Sequence, residues 1–437
     1  AWSGSGDDTY NQDILKLLLD LPSTNFRGYD ENTFETKIDL IIKNNKILDN
    51  VSANEQVDII CNETIFYAES GGQISDKGVI VGKNFKANIL NSKKITIGNG
   101  KIIFVSTIEI ISGKITVGDI INQIIDLDLR KQICSHHSAT HLLHEALRQK
   151  LGLHVAQKGS LVTNEKLRFD FSHQKPISSE LIKEIEDEVN YRIFCNDKVS
   201  TKVMSPDKAI EKGAIALFGE KYGDEVRVVS IGKSIDNERE AWSVELCGGT
   251  HVKNTSEIST FKILSETGVS SGVRRIEALT NMAAINYYNN EIDKIRYISS
   301  SLKTNSTQVT KKINRFFSLA KNVASNSSYG KIRHGALLVK GGSIINACCN
   351  KDSYSSFGKR FRSPHRGHAT VHAELGCVLG IPRNVTSGAD IYVCRINRNG
   401  QFRNSKPCAM CHSVLKHVGI KRVYYTTSHN TIEMYKL

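Results

Sequence analysis

The chain has 437 residues, more than one hydrophobic core usually serves, and at about 150 residues per domain it should hold roughly three domains. Hydrophobic residues make up 40% and charged residues 24%, and no run of about 18 apolar residues is present to cross a bilayer, so transmembrane and disordered classes are excluded. The net charge of +13 is uneven: residues 315–437 carry 19 Lys and Arg against 4 Asp and Glu, whereas residues 1–314 come to −2. Such asymmetry favours a polyanionic partner for the C-terminal part. Ten cysteines are too few and too unevenly spaced for a disulfide scaffold, and several stand in Cys/His clusters, which points to a reducing compartment, the cytoplasm or an organellar matrix. The start at Ala1-Trp2-Ser3, without Met or a basic-then-apolar leader, reads as an internal fragment with no secretory signal.

Asn11 to Asp20 reads as a short helix with Leu15, Leu18 and Leu19 on one side, ended by Leu21-Pro22-Ser23; residues 1–30 are too little to fold alone. Short alternating runs follow, such as Lys37 to Ile41 and Lys101 to Val105, punctuated by Asn-Gly and Gly-Gly, and predict a small antiparallel β-barrel over 31–127. Helical spacing returns in His137 to Leu151 through Leu142, Ala146 and Leu147. Strands at 225–231 and 243–247 alternate with helix-like stretches, so 128–280 reads as an α+β unit. Residues 281–314 are polar with a helical beat at Ile285, Ile292, Ile295, Ile298 and Leu302, an exposed helical linker. Beyond Arg315 come a helix to Ala324, strands at 335–340 and 343–348, a helix after Val371, a strand at 390–395, a helix after Pro407 and a strand at 422–426: a small α/β layer over 315–437.

On one helix His137 and His141 are four apart, about 5 to 6 Å between Cβ atoms, within reach of one metal ion. Cys247 and His251 bracket Gly248-Gly249-Thr250, a turn tight enough to bring a thiolate and an imidazole together. Either pair alone is a weak signal, because paired histidines are commonly surface residues. Together they complete a tetrahedral zinc set of three imidazoles and one thiolate. His136 points off the His137/His141 face, and His144 reads as a packed or surface residue.

Phe66 to Gln73, His137 to His144, His154 to Val162, Leu167 to Phe171, Cys247 to His251 and Gly272 to Ala278 resemble, in order and form, the editing domain of bacterial alanyl-tRNA synthetase, over about residues 1–310. Residues 1–30 resemble the end of that family's tRNA-recognition region. The resemblance implies hydrolysis of seryl- or glycyl-tRNA for alanine, with zinc on His137, His141, Cys247 and His251. It places Gln157 in the amino-acid pocket, Thr140 as a hydrogen-bonding group between the ligands, and Gly71-Gly72 in a turn approaching the tRNA end. A site built to bond a serine hydroxyl rejects alanine, which lacks that handle. The family's aminoacylation core would precede Ala1, so no aminoacylation is expected of this chain. Ile74-Ser75-Asp76 departs from the family, where a small residue commonly precedes the Asp.

A second set stands further on: Val371-His372-Ala373-Glu374, then Lys406-Pro407-Cys408-Ala409-Met410-Cys411. This matches the H-x-E and P-C-x-x-C signature of zinc nucleobase deaminases, with His372, Cys408 and Cys411 as ligands, a fourth position for water and Glu374 as proton shuttle. A closed structural site using Cys377 or His412 is the competing reading. The segment resembles the superfamily of cytidine, deoxycytidylate and tRNA adenosine deaminases, which implies a three-layer α/β/α fold and puts Asn350 where the family often contacts substrate. Ala409-Met410-Cys411 is like the adenosine enzymes, Lys406 departs from them, and the long stretch 351–370 is like the deoxycytidylate enzymes.

That stretch interleaves Lys359, Arg360, Arg362 and Arg366 with Phe357, Phe361 and His365. Charges that neutralise phosphates beside rings that stack bases suit single-stranded nucleic acid; a nucleotide monophosphate, or a solvated loop, would use the same residues. The whole reads as two zinc sites serving an editing esterase for alanine tRNA fused to a base deaminase. The alternatives are a zinc-stabilised tRNA-binding module, or an accidental fusion with one active half.

Overall fold

The computed structural model describes residues 10–98, 100–215, 223–232, 241–328, 332–361, 370–428 and 431–437. The chain divides into two compact units, Ala1–Tyr288 and Asn289–Leu437. Among the described residues no helix is long and apolar enough to cross a membrane.

In the first unit Asn11 caps the helix Gln12–Asp20, its side chain accepting from the Ile14 amide at 3.0 Å. The buried face is Ile14 and Leu18, one turn apart, whereas Leu19, expected on the apolar side, is 48% exposed. The i, i+4 pair sets the docking face, and Leu19 lies about 100° round from Leu18. Strands between 33 and 125 form one antiparallel sheet in the order Thr33–Lys37, Ile120–Ile125, Gly78–Gly82, Phe85–Ile97, Lys101–Thr116, Gln56–Ile60, Leu40–Lys43 and Lys46–Ile47, with Asn50–Ser52 added along Lys101–Thr116. The two ends of that order do not pair, so the expected small barrel is an open sheet: Lys46–Ile47 is only two exposed residues and offers no ladder to close on.

The hairpin Phe85–Ile97/Lys101–Thr116 is the spine of this sheet. Ile103 and Val105 enter a core with Ile14 and Leu18, while Ile108 and Ile110 enter another with Phe66 and Ile121. Odd and even positions of one strand point to opposite faces. The hairpin therefore buries one face near its tip, under the N-terminal helix, and the other near its base.

Asp126 caps the long helix Leu127–Leu151 by accepting from the Asp128 and Leu129 amides, and Gly152, at φ 114°, ends it. Arg130 in its first turn anchors it: Nε donates to Asp76 Oδ1 at 2.7 Å, Nη1 to the Gly28 carbonyl at 2.6 Å, and Nη2 to Asp76 Oδ2. Further along, Leu142, Leu143, Ala146 and Leu147 share a core with Phe169, Phe171 and Ile276 of the four-stranded sheet Gln157–Val162, Leu167–Ser172, Val273–Thr280, Phe261–Ser270, and with Ile185 and Val189 of the helix Ser179–Phe194. A three-stranded sheet, Val199–Met204, Val226–Gly232 and Ala241–Leu246, delivers the chain to Cys247.

Residues Asn281–Ser301 form one helix, and the next, Val309–Ser325, begins six residues before the expected Arg315. In the second unit the sheet runs Ser343–Cys349, Arg333–Lys340, Asp390–Ile396, Arg422–Thr426, Ile432–Lys436. Asp390–Ile396 and Arg422–Thr426 are parallel, which demands a crossover; the helix Ala409–His417 supplies it. Ala336 and Leu338 face that helix and Ala373–Val378, whereas Leu337 and Val339 face Phe316 and Phe317 of Val309–Ser325. Helices therefore cover both faces of the sheet. The edge strand Ile432–Lys436 has no counterpart in the sequence reading, because its side chains are mostly exposed and lack an alternating buried set.

Candidate metal centres

His137 and His141, one turn apart on the long helix, meet Cys247 and His251 from the turn after Ala241–Leu246, one ligand atom of each lying within 4.8 Å of the others. Cys247 Sγ is 3.3 Å from His137 Nε2 and 3.3 Å from His251 Nε2. The opposite nitrogen of each ring is held from outside. His137 Nδ1 donates to Gln73 Oε1 at 2.6 Å, His251 Nδ1 is 3.1 Å from Ser138 Oγ, and His141 Nδ1 is 3.0 Å from Glu245 Oε2. Outer partners of this kind fix the tautomer and leave the inner nitrogen's lone pair free for a metal. His141 Nε2 is buried with no hydrogen-bond partner. An orphaned inner nitrogen beside a thiol and two further imidazoles fits zinc.

Burial works against ionising Cys247, yet His137, His251 and His141 outweigh it and hold the thiol well below its ordinary range. Burial likewise opposes the Glu245 charge, and His141 and His144 more than compensate, so Glu245 stays ionised. A Cβ on Gly249 would lie 2.0 Å from His137 Cε1, so only glycine lets the turn approach the helix this closely. Tyr29 Oη donates to the Gly248 carbonyl at 2.6 Å, and Arg227 Nη1 to the Cys247 and Gly249 carbonyls at 3.1 and 2.7 Å.

Gly71 and Gly72, at φ 59° and 83°, make the turn that places Gln73, and a Cβ on Gly72 would meet the Ser160 carbonyl at 2.3 Å. Gln73 is fully buried; besides His137 it accepts from the Thr250 amide at 2.9 Å and donates to Thr250 Oγ1 at 2.9 Å. The sequence reading singled out the glycines and missed Gln73, Ser138 and Glu245. Of these Glu245 carried a signal: it stands two residues before Cys247 in a strand, hence on the same face. Thr140 is buried and donates to its own helix at the His136 carbonyl, 2.8 Å away, which leaves its oxygen only as an acceptor. Gln157 is half-buried on Gln157–Val162, beside the strand that carries Phe171. His136 is occupied at both nitrogens, by the Thr163 carbonyl at 2.9 Å and the Thr280 amide at 3.1 Å, and burial lowers its pKa to about 4. His144 Nδ1 lies 3.2 Å from Glu245 Oε2 and its ring packs on Phe169.

In the second unit His372 stands at the N-cap position of Ala373–Val378 and Cys408 at that of Ala409–His417, neither with a side-chain cap bond. His372 Nδ1 is 3.5 Å from Cys408 Sγ and 3.3 Å from Cys411 Sγ. These three form the second donor group, with neither Cys377 nor His412 in it. Cys377 Sγ is turned to the Ala336 carbonyl at 2.9 Å, and His412 Nδ1 is 3.4 Å from Tyr435 Oη. Glu374 is buried in the first turn after His372, and burial raises its carboxyl pKa.

Asn350 is placed differently from the expected substrate contact. Its Oδ1 accepts from Ser327 Oγ at 2.7 Å and the His334 amide at 2.8 Å, and Nδ2 donates to the Ile332 carbonyl at 2.8 Å, so the side chain pins a loop. Lys359 and Arg360 are exposed at the end of the short helix Ser356–Lys359; Arg362, Arg366 and His365 lie outside the described residues. Phe357 and Phe361, expected as stacking platforms, pack on each other at 5.4 Å and against the core with Val414 and Leu415. Both are half-buried, so part of their apolar area is taken up by the fold.

Three family models match parts of the chain. Residues 3–129 match "tRNA synthetases class II (A)", residues 226–277 "Threonyl and Alanyl tRNA synthetase second additional domain", and residues 310–427 "Cytidine and deoxycytidylate deaminase zinc-binding region". In chain order, alanyl-tRNA synthetase-type segments precede a deaminase zinc-binding region. Cys247 and His251 lie inside the second match and His372, Cys408 and Cys411 inside the third, while His137 and His141 fall between the first two. The third match implies zinc for the second donor group. Among solved structures, the dCMP deaminase from the cyanophage S-TIM5 in apo form is 20% identical over 27% of this chain and 83% of its own, at a TM-score of 0.18.

Proposed function

We propose that residues 31–280 hydrolyse seryl- or glycyl-tRNA for alanine and that residues 315–437, a three-layer α/β/α cytidine-deaminase-like domain, deaminate a base in a nucleotide or nucleic acid. The supporting observation is the convergence of two separate donor groups, N3S and NS2, each drawn from distant stretches of chain. Residues 1–30 then belong to a tRNA-recognition region and 281–314 to a linker, in a protein of the cytoplasm or an organellar matrix.

His137, His141, Cys247 and His251 would hold one zinc and His372, Cys408 and Cys411 another; bound there, zinc would supply a Lewis acid. The rest falls to the chain. In the first unit Gln73, Ser138 and Glu245 keep the imidazoles in register, and the Thr140 oxygen, with only acceptor capacity left, suits a substrate hydroxyl that alanine lacks. Gln157 contributes its amide to the same amino-acid pocket. In the second unit Glu374 takes a proton from the water that adds to the amidine carbon and passes it to the ring nitrogen; it then takes the proton of the new hydroxyl and gives it to the amine, which leaves as ammonia as the carbonyl forms.

A second reading has one observation in its favour. Four protein donors already fill a tetrahedron, as in structural zinc, so the first metal could stabilise a tRNA-binding module without hydrolysis. Purified full-length chain carrying Cys247→Ala decides between them. Loss of one zinc and of seryl-tRNA hydrolysis, with deamination of cytidine, deoxycytidylate, single-stranded DNA or tRNA retained, supports the esterase. An unmodified chain that binds alanine tRNA and never cleaves its seryl ester supports the module.

A further inference from the structure

Beside the turn that carries Cys247 lies a cavity of about 300 Å³ walled by Phe26, Tyr29, Tyr67, Lys94, Ile102 and Phe104. Its volume stands at the lower end for ligand pockets, enough for one nucleoside. Phe26 is its aromatic centre, stacked on Phe104 at 5.7 Å and edge-on to Tyr29 and Tyr67 at 4.8 and 6.0 Å. The exposed Lys94 turns its ammonium over Tyr67 and Phe104, 5.5 and 5.3 Å from the ring centroids, with no carboxylate partner among the described residues. A cage of rings without such a lysine would suit a cation; with it, the cage suits a flat ring bearing an anion. Tyr29 joins the cavity to the metal centre, because the ring that lines the one also donates to the Gly248 carbonyl beside Cys247.

We infer that this cavity receives the 3′-terminal nucleotide of the tRNA, its base against the aromatic wall and its phosphate at Lys94, so that the ester on its ribose is presented to the first metal centre. The inference rests on the esterase reading for its source of ligand. The ligand chemistry itself, a nucleoside 5′-phosphate, could also come from a free nucleotide. Among the described residues nothing else on this face combines stacked rings, an unpaired cation and a direct link to the Cys247 turn.

The test uses the full chain with zinc and 5′-AMP as probe. AMP should bind, should compete with seryl-tRNA in hydrolysis, and should bind better than uncharged adenosine. Lys94→Met should weaken AMP about tenfold and raise KM for seryl-tRNA with kcat held, as expected when one ionic bond to phosphate is removed, and Lys94→Arg should restore both. Ile102→Glu, 41% exposed on the cavity wall and therefore safe for the fold, should repel AMP by charge. Zinc content should stay at the level of the unmodified chain in all three. Unchanged AMP affinity and KM in Lys94→Met and Ile102→Glu overturns the inference. AMP binding that depends on Lys94 but leaves seryl-tRNA hydrolysis uninhibited assigns the cavity to a free nucleotide and overturns the tRNA assignment. If the unmodified chain hydrolyses no mischarged tRNA, the esterase reading fails. The nucleotide cavity is then still decided by AMP binding to the variants.

Discussion

Replacing Glu245 by Gln should loosen the first metal while the unit stays folded. Glu245 Oε2 sits 3.0 Å from His141 Nδ1 and 3.2 Å from His144 Nδ1, and Oε1 accepts from Ser243 Oγ at 3.0 Å. Gln preserves the shape. Its oxygen can stay on His141 and its amide nitrogen can donate one hydrogen to Ser243 Oγ, while the Ser243 hydroxyl loses its acceptor and the second amide hydrogen is left unpaired. The charge is lost: a hydrogen bond to a carboxylate, worth roughly 1.5–3 kcal/mol, becomes a neutral one of about 1. The difference, about 0.5–2 kcal/mol or roughly 2- to 30-fold, overlaps the lower part of the ~10–100-fold in metal affinity that outer carboxylate partners of ligating histidines contribute, which puts the expectation near tenfold. The assay is competition for zinc between the full chain and a chromogenic chelator, with the His372, Cys408, Cys411 group as internal reference. One zinc should leave at about tenfold lower chelator concentration than in the unmodified chain, the other at an unchanged one. If both zinc ions leave as before, Glu245 does not act through His141 and the reasoning fails.

Asp76→Ala strands the buried Arg130 guanidinium and should cost about 3–5 kcal/mol, read as a lower unfolding midpoint of the first unit; a change under about 1 kcal/mol would remove the pair from the helix anchor. Gly249→Ala should lose the first zinc and retain the second, because its Cβ would fall 2.0 Å from His137 Cε1; elemental analysis counts the ions. Glu374→Gln should keep the second zinc and lower deamination at least ~100-fold, and zinc loss would make Glu374 structural instead. Lys359→Ser with Arg360→Ser should flatten the salt dependence of single-strand binding by about 0.7 in log–log slope for each phosphate left without its cation, whereas an unchanged slope places the nucleic acid elsewhere.

Much of the architecture was legible because apolar spacing and breakers report local geometry. The strand Arg422–Thr426 falls at its expected bounds, a fully buried run, and the helix Ala409–His417 begins after Pro407 as expected. Sheet closure is a different kind of property. Alternation in 31–127 says which faces are apolar, but an open and a closed sheet share that pattern, and only the two-residue end strand Lys46–Ile47 distinguishes them. The odd and even burial of Ile103 and Ile108 on one strand was likewise hidden, since it depends on the distant helix Gln12–Asp20 covering the hairpin tip.

The donor groups were legible for a chemical reason: a His or Cys pair at ligand spacing is a weak signal alone, and two such pairs in one unit complete a metal's donor set. The residues that orient them were not, because an orienting partner can be any acceptor brought within 3 Å by tertiary folding. Gln73, Ser138 and Glu245 come from a glycine turn, a helix and a strand, and share nothing in sequence. The two centres differ in donor number and exposure. The first has four donors, His137 and His141 buried and Cys247 and His251 half-buried, while the second has one imidazole and two sulfurs at helix N-termini, with Cys408 exposed. A braced four-donor set resists exchange of ligands, and a three-donor set at an exposed edge admits a fourth from solvent or substrate. Chelator should therefore strip the second zinc faster than the first, and a ring-bearing inhibitor should slow the loss of the second alone. Equal rates for both would mean that exposure at Cys408 gives no access to the metal.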